Sequence, residues 1–271
     1  MAAAARQAGA EAAEEAPAAD RDPNFMTSLA RGLVVIRAFT DRTPRLSIAE
    51  VARADGLPRA AARRCLHTLQ RLGYVGSDGR SFYLKPKILS LGYAFLSSTP
   101  LSGTLQPFLE RVSERLHESS SAGVLDEGDL VYIARAQTKR IMSVGLSVGS
   151  RLPAHCTSMG RVLLAHLPPE DLERQLAQVP LRAMTDRTVT DPAELRRILV
   201  QTRVRGHALV DQELEIGLRS LSVPVLSAAG QVVAAMNVSA QAQRVGRREM
   251  ESRFLPELQA AAAELRQLLV I

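Results

Sequence analysis

The sequence predicts a two-domain α+β protein: a winged helix-turn-helix, then a larger domain of antiparallel strands with helices packed on them. Three observations carry that prediction. Positive charge is concentrated in residues 27–100. In that stretch two short helical patterns flank a glycine-containing turn, with a hairpin pattern directly after. Beyond residue 102 the pattern changes to paired strands interleaved with helices, the signature of an α+β arrangement.

The chain has 271 residues, of which 46% are hydrophobic, enough for one large or two ordinary domains with real cores. No run approaches the roughly 20 apolar residues that span a bilayer, so no membrane partner is expected. Residues 1–24 are rich in Ala and Glu and read as a disordered tail. They lack the basic start and apolar run of a secretory signal, which places the chain in the cytosol. Two cysteines far apart, Cys65 and Cys156, write neither a disulfide framework nor a zinc cluster, and no cofactor is expected. Within the net charge of +6, residues 27–100 carry twelve Lys/Arg against four Asp/Glu, while residues 101–271 are nearly balanced at twenty against nineteen. A basic stripe confined to one domain is the footprint of a polyanion binder.

The first domain is expected over residues 25–86. Leu29, Leu33, Ile36 and Phe39 form the stripe of an amphipathic first helix. Ser47-Ile48-Ala49-Glu50 has the form of a capping box: Ser47 accepts from the Glu50 amide while the Glu50 side chain returns to the Ser47 amide. Gly56 suits the left-handed residue that stops this second helix, and Pro58 suits the first turn of a third. The third runs from Pro58 to Leu72. Ala62, Cys65, Leu66, Leu69 and Leu72 gather on one side, and Ala60, Arg64, His67 and Arg71 lie opposite, flanked by Arg59 and Arg63. In a helix-turn-helix the N-terminal part of the second helix of the motif enters the major groove, where Arg grips guanine edges or clamps phosphates. An ordinary helical hairpin with a solvated basic face remains the competing reading of these residues. Gly73-Tyr74-Val75 and Ser81-Phe82-Tyr83-Leu84 about Asp78-Gly79 form a hairpin, placed as a wing with Arg80 at its tip. The predicted DNA-contact residues are Ser47, Arg59, Ala60, Arg63, Arg64, His67 and Arg80. From Lys87 the run through Leu96 is apolar nearly all round, which predicts a buried linker helix over residues 87–101 packed against a second subunit.

The second domain is expected over residues 102–271. Ala122–Leu125 and Leu130–Ala136 flank a tight turn, and Ile141–Val148 reads as another strand. Thr157 or Ser158 caps a helix running through Leu167; Pro168-Pro169-Glu170-Asp171 opens a second; Asp191-Pro192 opens a third that ends at Gly206. Leu218–Leu226 pairs with Gln231–Ala240, and a long helix from about Gly246 closes the chain. His155-Cys156 invites a thiol-nucleophile reading, but adjacent residues in an extended segment point to opposite faces, and no metal pair or phosphate-cradling loop is present. No catalytic residue is predicted. Ser220 and Ser222 share one face of a strand with Asn237 and Ser239 of its partner. Beside a helix N-terminus with free amides at Met159 and Gly160, they can form a carboxylate site. They can equally be the wet face of an antiparallel sheet.

Several blocks together resemble the IclR family of regulators, within it the branch controlling aromatic-acid catabolism through the β-ketoadipate pathway. They are Gly56-Leu57-Pro58-Arg59-Ala60-Ala61-Ala62-Arg63-Arg64, Gly73-Tyr74-Val75, Thr138-Lys139-Arg140-Ile141-Met142-Ser143-Val144, Gly149-Ser150-Arg151-Leu152-Pro153-Ala154-His155 and Thr157-Ser158-Met159-Gly160-Arg161-Val162-Leu163-Leu164-Ala165. The resemblance spans about residues 26–271. It implies a GAF-like α/β effector-binding domain, a double-stranded DNA operator, a small carboxylic-acid effector and a homodimer or tetramer. It puts the effector pocket at Gly160, Ser220, Asn237 and Ser239, with Met159 beside them and Arg151, His155 and Arg161 near enough for charge pairing. One departure stands out: Ala60 and Ala61 occupy positions where recognition helices of this family carry Ser or Thr, leaving more of the phosphate grip to Arg59, Arg63 and Arg64. The expected function is a transcription regulator controlled by a small aromatic or β-keto acid. The alternatives are a regulator answering a different carboxylate, a nonspecific basic architectural protein, and a GAF-like hydrolase or transferase.

Overall fold

A computed structural model describes residues 22–40, 42–54, 56–98, 101–138 and 146–269. The tail expected over residues 1–24 lies outside them apart from 22–24. So does most of the strand expected over Ile141–Val148, whose described residues Leu146–Val148 are not strand. The chain divides into two compact units, residues 1–95 and 96–271.

In the first unit, α1 (Thr27–Arg37), α2 (Ile48–Ala54) and α3 (Arg59–Arg71) enclose a core of Val35, Val51, Ala62, Leu66, Leu69 and Val75. The capping box forms as the spacing demands: the Ser47 amide donates to the Glu50 carboxylate at 2.8 Å, and the Glu50 amide donates to the Ser47 hydroxyl at 3.3 Å. Gly56, at φ 62°, ends α2 in the left-handed conformation. Pro58 is the N-cap of α3 rather than its first residue, a difference of one position. The stripe expected on α1 needs correction. Val35 is the fully buried residue, while Leu29 and Leu33 are 58% and 51% exposed. With Leu72, also exposed, they line an open groove between α1 and α3 instead of filling the core.

The wing is β1 (Val75–Ser77) paired antiparallel with β2 (Phe82–Leu84), and Leu46 adds a bridge to Phe82. Asp78 shapes its turn by accepting from the Arg80 and Ser81 amides at 3.0 and 2.7 Å. These bonds hold the Asp78 carboxyl below its usual range. Arg45 pairs with Asp78 at 2.7 Å and stacks over the Tyr83 ring, tying the wing to the stretch before α2. After the wing comes α4 (Leu89–Ser98). The buried linker expected here is not buried within one chain: Leu89, Leu91 and Tyr93 are exposed.

The second unit is a six-stranded sheet in the order β5-β4-β3-β8-β7-β6, antiparallel throughout. Its strands are β3 (Ser119–Asp126), β4 (Asp129–Ala136), β5 (Arg151–Pro153), β6 (Ala208–Asp211), β7 (Leu218–Leu226) and β8 (Val232–Gln241). One face packs against α5 (Leu101–Leu116) and the C-terminal helix. The latter begins as α9 (Arg247–Glu249), widens into a π turn over Met250–Phe254 and continues as α10 (Leu255–Leu268). Leu105, Leu109, Phe254 and Leu258 are fully enclosed there. The other face carries α6 (Ser158–His166), against which α8 (Pro192–Arg205) packs, with α7 (Pro169–Gln178) alongside. Asp191 caps α8 by accepting from the Ala193 and Glu194 amides, and Gly206 closes it at φ 69°.

One irregularity decides which side chains reach the α6 face. Ala122 pairs with Ala134, but the next residue, Gly123, pairs with Tyr132, so Ile133 is an extra residue on β4. Such a bulge breaks the alternation of faces. Leu130 and Tyr132 on one side of it, and Arg135 on the other, therefore all point toward α6.

Candidate functional site

On α3, Arg59, Ala60, Arg63, Arg64 and His67 are all exposed, as is Arg80 at the wing tip. Among the described residues no carboxylate pairs with Arg59, Arg63, Arg64 or Arg80, so these charges are available to a polyanion. Arg64 stands at the rim of the groove beside α1, whereas Arg63 lies clear of it. Ser47 is committed locally: its hydroxyl donates to Glu50 at 2.7 Å and its amide is taken by the same carboxylate. Those bonds hold the Glu50 carboxyl below its usual range.

In the second unit, a narrow, partly enclosed cleft of about 20 Å³ opens between the sheet and the start of α6. From the sheet come Leu130, Tyr132 and Arg135 of β4, Leu218 and Ser220 of β7, and Asn237 and Ser239 of β8. Cys156, Thr157, Ser158 and Met159 supply the α6 side, and Leu214 closes it from the loop between β6 and β7. Arg135, Ser121, Asn237 and Ser222 lie side by side across four strands, since the register pairs Ser121 with both Arg135 and Asn237, and Asn237 with Ser222.

Three buried side-chain atoms here have no hydrogen-bond partner: Arg135 Nε, Ser158 Oγ and Asn237 Oδ1. Only one other such atom, on Gln175, occurs among the described residues. Buried polar groups are nearly always satisfied, so three on one cleft make it the candidate ligand site. Arg135 is the most demanding of them. Burial pulls its pKa down, with the nearby Tyr132 only partly opposing, and among the described residues no carboxylate pairs with it. Burial also pushes the Tyr132 hydroxyl and the Cys156 thiol up to about 12 each, so both stay neutral.

Of the residues named from sequence, Met159, Ser220, Asn237 and Ser239 come together on this cleft. Gly160 stands behind it. Its amide donates to the Thr157 hydroxyl, the helix cap, so it is not a free donor; a Cβ there would fall 2.2 Å from the Ala154 carbonyl oxygen. Arg151, His155 and Arg161 do not line the cleft. Arg151, on the edge strand, is claimed by Asp126 at 2.5 Å and Asp129 at 3.1 Å from the neighbouring turn. His155 bonds the Arg182 carbonyl at 3.0 Å, and burial, reinforced by Arg161, pulls its pKa down despite that bond. Arg161 donates to the His155 carbonyl at 2.8 Å and pairs with Glu213 at 2.5 Å. The residue that sequence reading missed is Arg135. Its signal was the single cation of β4.

An unneutralised recognition helix with a wing, in one chain with a domain whose sheet and helix form a polar cleft, is the build of a ligand-responsive DNA-binding regulator. The model of the IclR helix-turn-helix domain matches residues 28–79, and that of the bacterial transcriptional regulator IclR C-terminal region matches residues 93–267. The chain belongs to the IclR family. It is 54% identical over 245 residues to the Pca regulon regulatory protein of Pseudomonas putida, covering 90% of this chain and 84% of that one. Identity to the p-hydroxybenzoate hydroxylase transcriptional activator of Acinetobacter baylyi is 36% over 253 residues, covering 92% and 93%. Among solved structures, an IclR homolog from Microbacterium hydrocarbonoxydans complexed with 4-hydroxybenzoate superposes with a TM-score of 0.77 at 26% identity, covering 90% of this chain and 99% of that one.

Proposed function

We propose that this chain regulates genes of aromatic-acid catabolism, and that a small aromatic or β-keto acid held in the cleft controls its operator binding or activation. The observation that carries the reading is Arg135, a half-buried guanidinium whose Nε is enclosed and unbonded and which no carboxylate among the described residues pairs. A partly desolvated guanidinium gains from a charge-assisted pair, and a ligand carboxylate supplies one. Ser158 and Asn237 take the remaining polar groups of the acid, while Leu130, Tyr132 and Met159 pack its hydrocarbon part. The Pca-type and p-hydroxybenzoate relatives and the 4-hydroxybenzoate complex support the same class of ligand.

Arg59, Arg63 and Arg64, with His67 and Arg80, grip the operator, and Ser47 and Ala60 sit at its surface. Exposed Leu89, Leu91 and Tyr93 fit a homodimer or tetramer on a pseudo-palindromic site. No helix among the described residues is long and apolar enough to cross a membrane; the regulator works in the cytoplasm. Its role is regulatory rather than catalytic, and Cys156 is no nucleophile: its thiol is held neutral and donates to the Pro153 carbonyl rather than to a base. Control requires that the acid bind one arrangement of the protein better than another.

The test is a thermal-shift panel of protocatechuate, 4-hydroxybenzoate, β-ketoadipate and non-aromatic carboxylates on the full chain. An acid at a hundred times its dissociation constant stabilises the fold by about 2.7 kcal/mol. A hit among the first three supports the pathway. Hits confined to other carboxylates keep the sensor and move the pathway, and a blank panel removes the proposed effector class.

A further inference from the structure

We infer that Arg161 and Glu213 are positioning residues that latch the loop between β6 and β7 over the effector cleft, so that the pair sets how fast an acid enters and leaves. The inference rests on the reading of the cleft as the effector site. The loop spans Gln212 to Gly217 and places Leu214 in the cleft wall. It is a preformed unit: Gln212 sits at φ 64°, donates its amide to the Leu218 carbonyl at 2.8 Å, and accepts the Gly217 amide on its own side chain at 3.1 Å. Its neighbour Glu213 holds it down. The Glu213 carboxylate takes Arg161 at 2.5 Å and the Val189 amide at 3.0 Å, and its carbonyl accepts from the Thr188 hydroxyl at 2.6 Å.

Arg161 lies on the helix whose first turn brings Ser158 and Met159 to the cleft. The pair thus joins two walls of the cleft, the α6 wall and the Leu214 wall. Both side chains are enclosed, at 4% and 10% exposure. A buried ion pair stabilises a fold little more than apolar residues of the same volume, but half-separating it strands both charges. Such a latch is closed or open, with little between. Leu214 is therefore seated or released together with Glu213.

The experiment uses full-length Glu213→Gln and, in case that variant does not fold, the Arg161→Met/Glu213→Met double variant. Two quantities are read: hydrogen exchange of the peptide covering 212–218 without any acid, and release of 4-hydroxybenzoate, protocatechuate or β-ketoadipate, whichever wild type binds. Exchange in 212–218 is expected to rise about tenfold with the amides of Val223 and Met236 unchanged, and release to quicken about tenfold. Unchanged local exchange and release in a folded variant overturn the latch; so does exchange that rises equally across β7 and β8, which is plain destabilisation. If wild type binds none of the three acids, the effector reading fails while local exchange still decides whether the pair holds the loop.

Discussion

Arg135 Nη1 lies 3.4 Å from the Ser121 hydroxyl, and among the described residues this long contact is all that the guanidinium side chain has. The two residues are direct partners across β3 and β4. A neutral hydroxyl at that distance does little for a cation. The half-buried guanidinium is left without an opposite charge among the described residues.

Stability and sensing should therefore move in opposite directions at position 135. Arg135→Met is expected to leave the protein as stable as wild type or slightly more so, since a half-buried, unpaired charge is removed. Acid affinity should fall by about 3 kcal/mol, roughly a hundredfold, because the carboxylate loses its partner. Denaturant unfolding and calorimetric titration measure both, and a variant that binds the acid normally would remove Arg135 from the site.

On the recognition helix, Arg63→Ala and Arg64→Ala should each weaken operator binding while acid affinity stays within twofold of wild type. If a side chain grips a phosphate, the slope of log K against log salt drops by about 0.9. If it reads a base, the slope holds and discrimination relaxes by about 1–3 kcal/mol at one base pair. An unaltered operator affinity at moderate salt for Arg64→Ala would assign that residue to the groove beside α1 instead.

Gly160→Ala should damage the fold rather than the ligand contacts. The added methyl would stand 2.2 Å from the Ala154 carbonyl oxygen and 2.5 Å from the Thr157 hydroxyl, both part of the cap of α6. Overpacking of this kind costs about 1–3 kcal/mol. The melting temperature should drop, and any residual binding should recover when the protein is cooled. A wild-type melting curve would contradict the packing account.

Alkali should unfold the protein partly through Cys156. Burial raises its thiol from 9.0 to about 12, so above pH 9 the unfolded chain ionises while the folded one cannot. The stability is whole below pH 9 and is lost as pH rises toward 12. The loss from this group is about 1.4 kcal/mol per pH unit across that window. Cys156→Ala should flatten the decline, apart from what Tyr132, raised from 10.0 to about 12, still contributes above pH 10. An identical decline in the variant would count against Cys156 as a source of the alkaline loss.

What the sequence made legible was local. Ser47 and Glu50, Asp191 and Gly206, and the Leu218–Leu226 hairpin each depend on neighbours a few residues away, and each formed where its spacing put it. Asn237, Ser239 and Ser220 were brought to one cleft because strict alternation holds along β7 and β8 there. Arg151 and Arg161 were misplaced because their carboxylates come from residues 126, 129 and 213, and nothing in the local pattern marks those pairings. Leu29, Leu33 and Leu72 read as core because an apolar stripe looks the same whether it meets the chain's own core or an open groove. Arg135 escaped notice because counting by twos from Leu130 turns it away from the cleft, and only the extra residue at Ile133 turns it back.

That extra residue also bears on how such a sensor changes its taste. Moving the bulge past Arg135 would swing its side chain toward the α5 and α10 side and present different neighbours to the cleft, without altering a single wall residue. Chemical preference in this sheet is thus written partly in backbone phase. A one-residue insertion or deletion in β4 is therefore enough to change which of its side chains face the cleft.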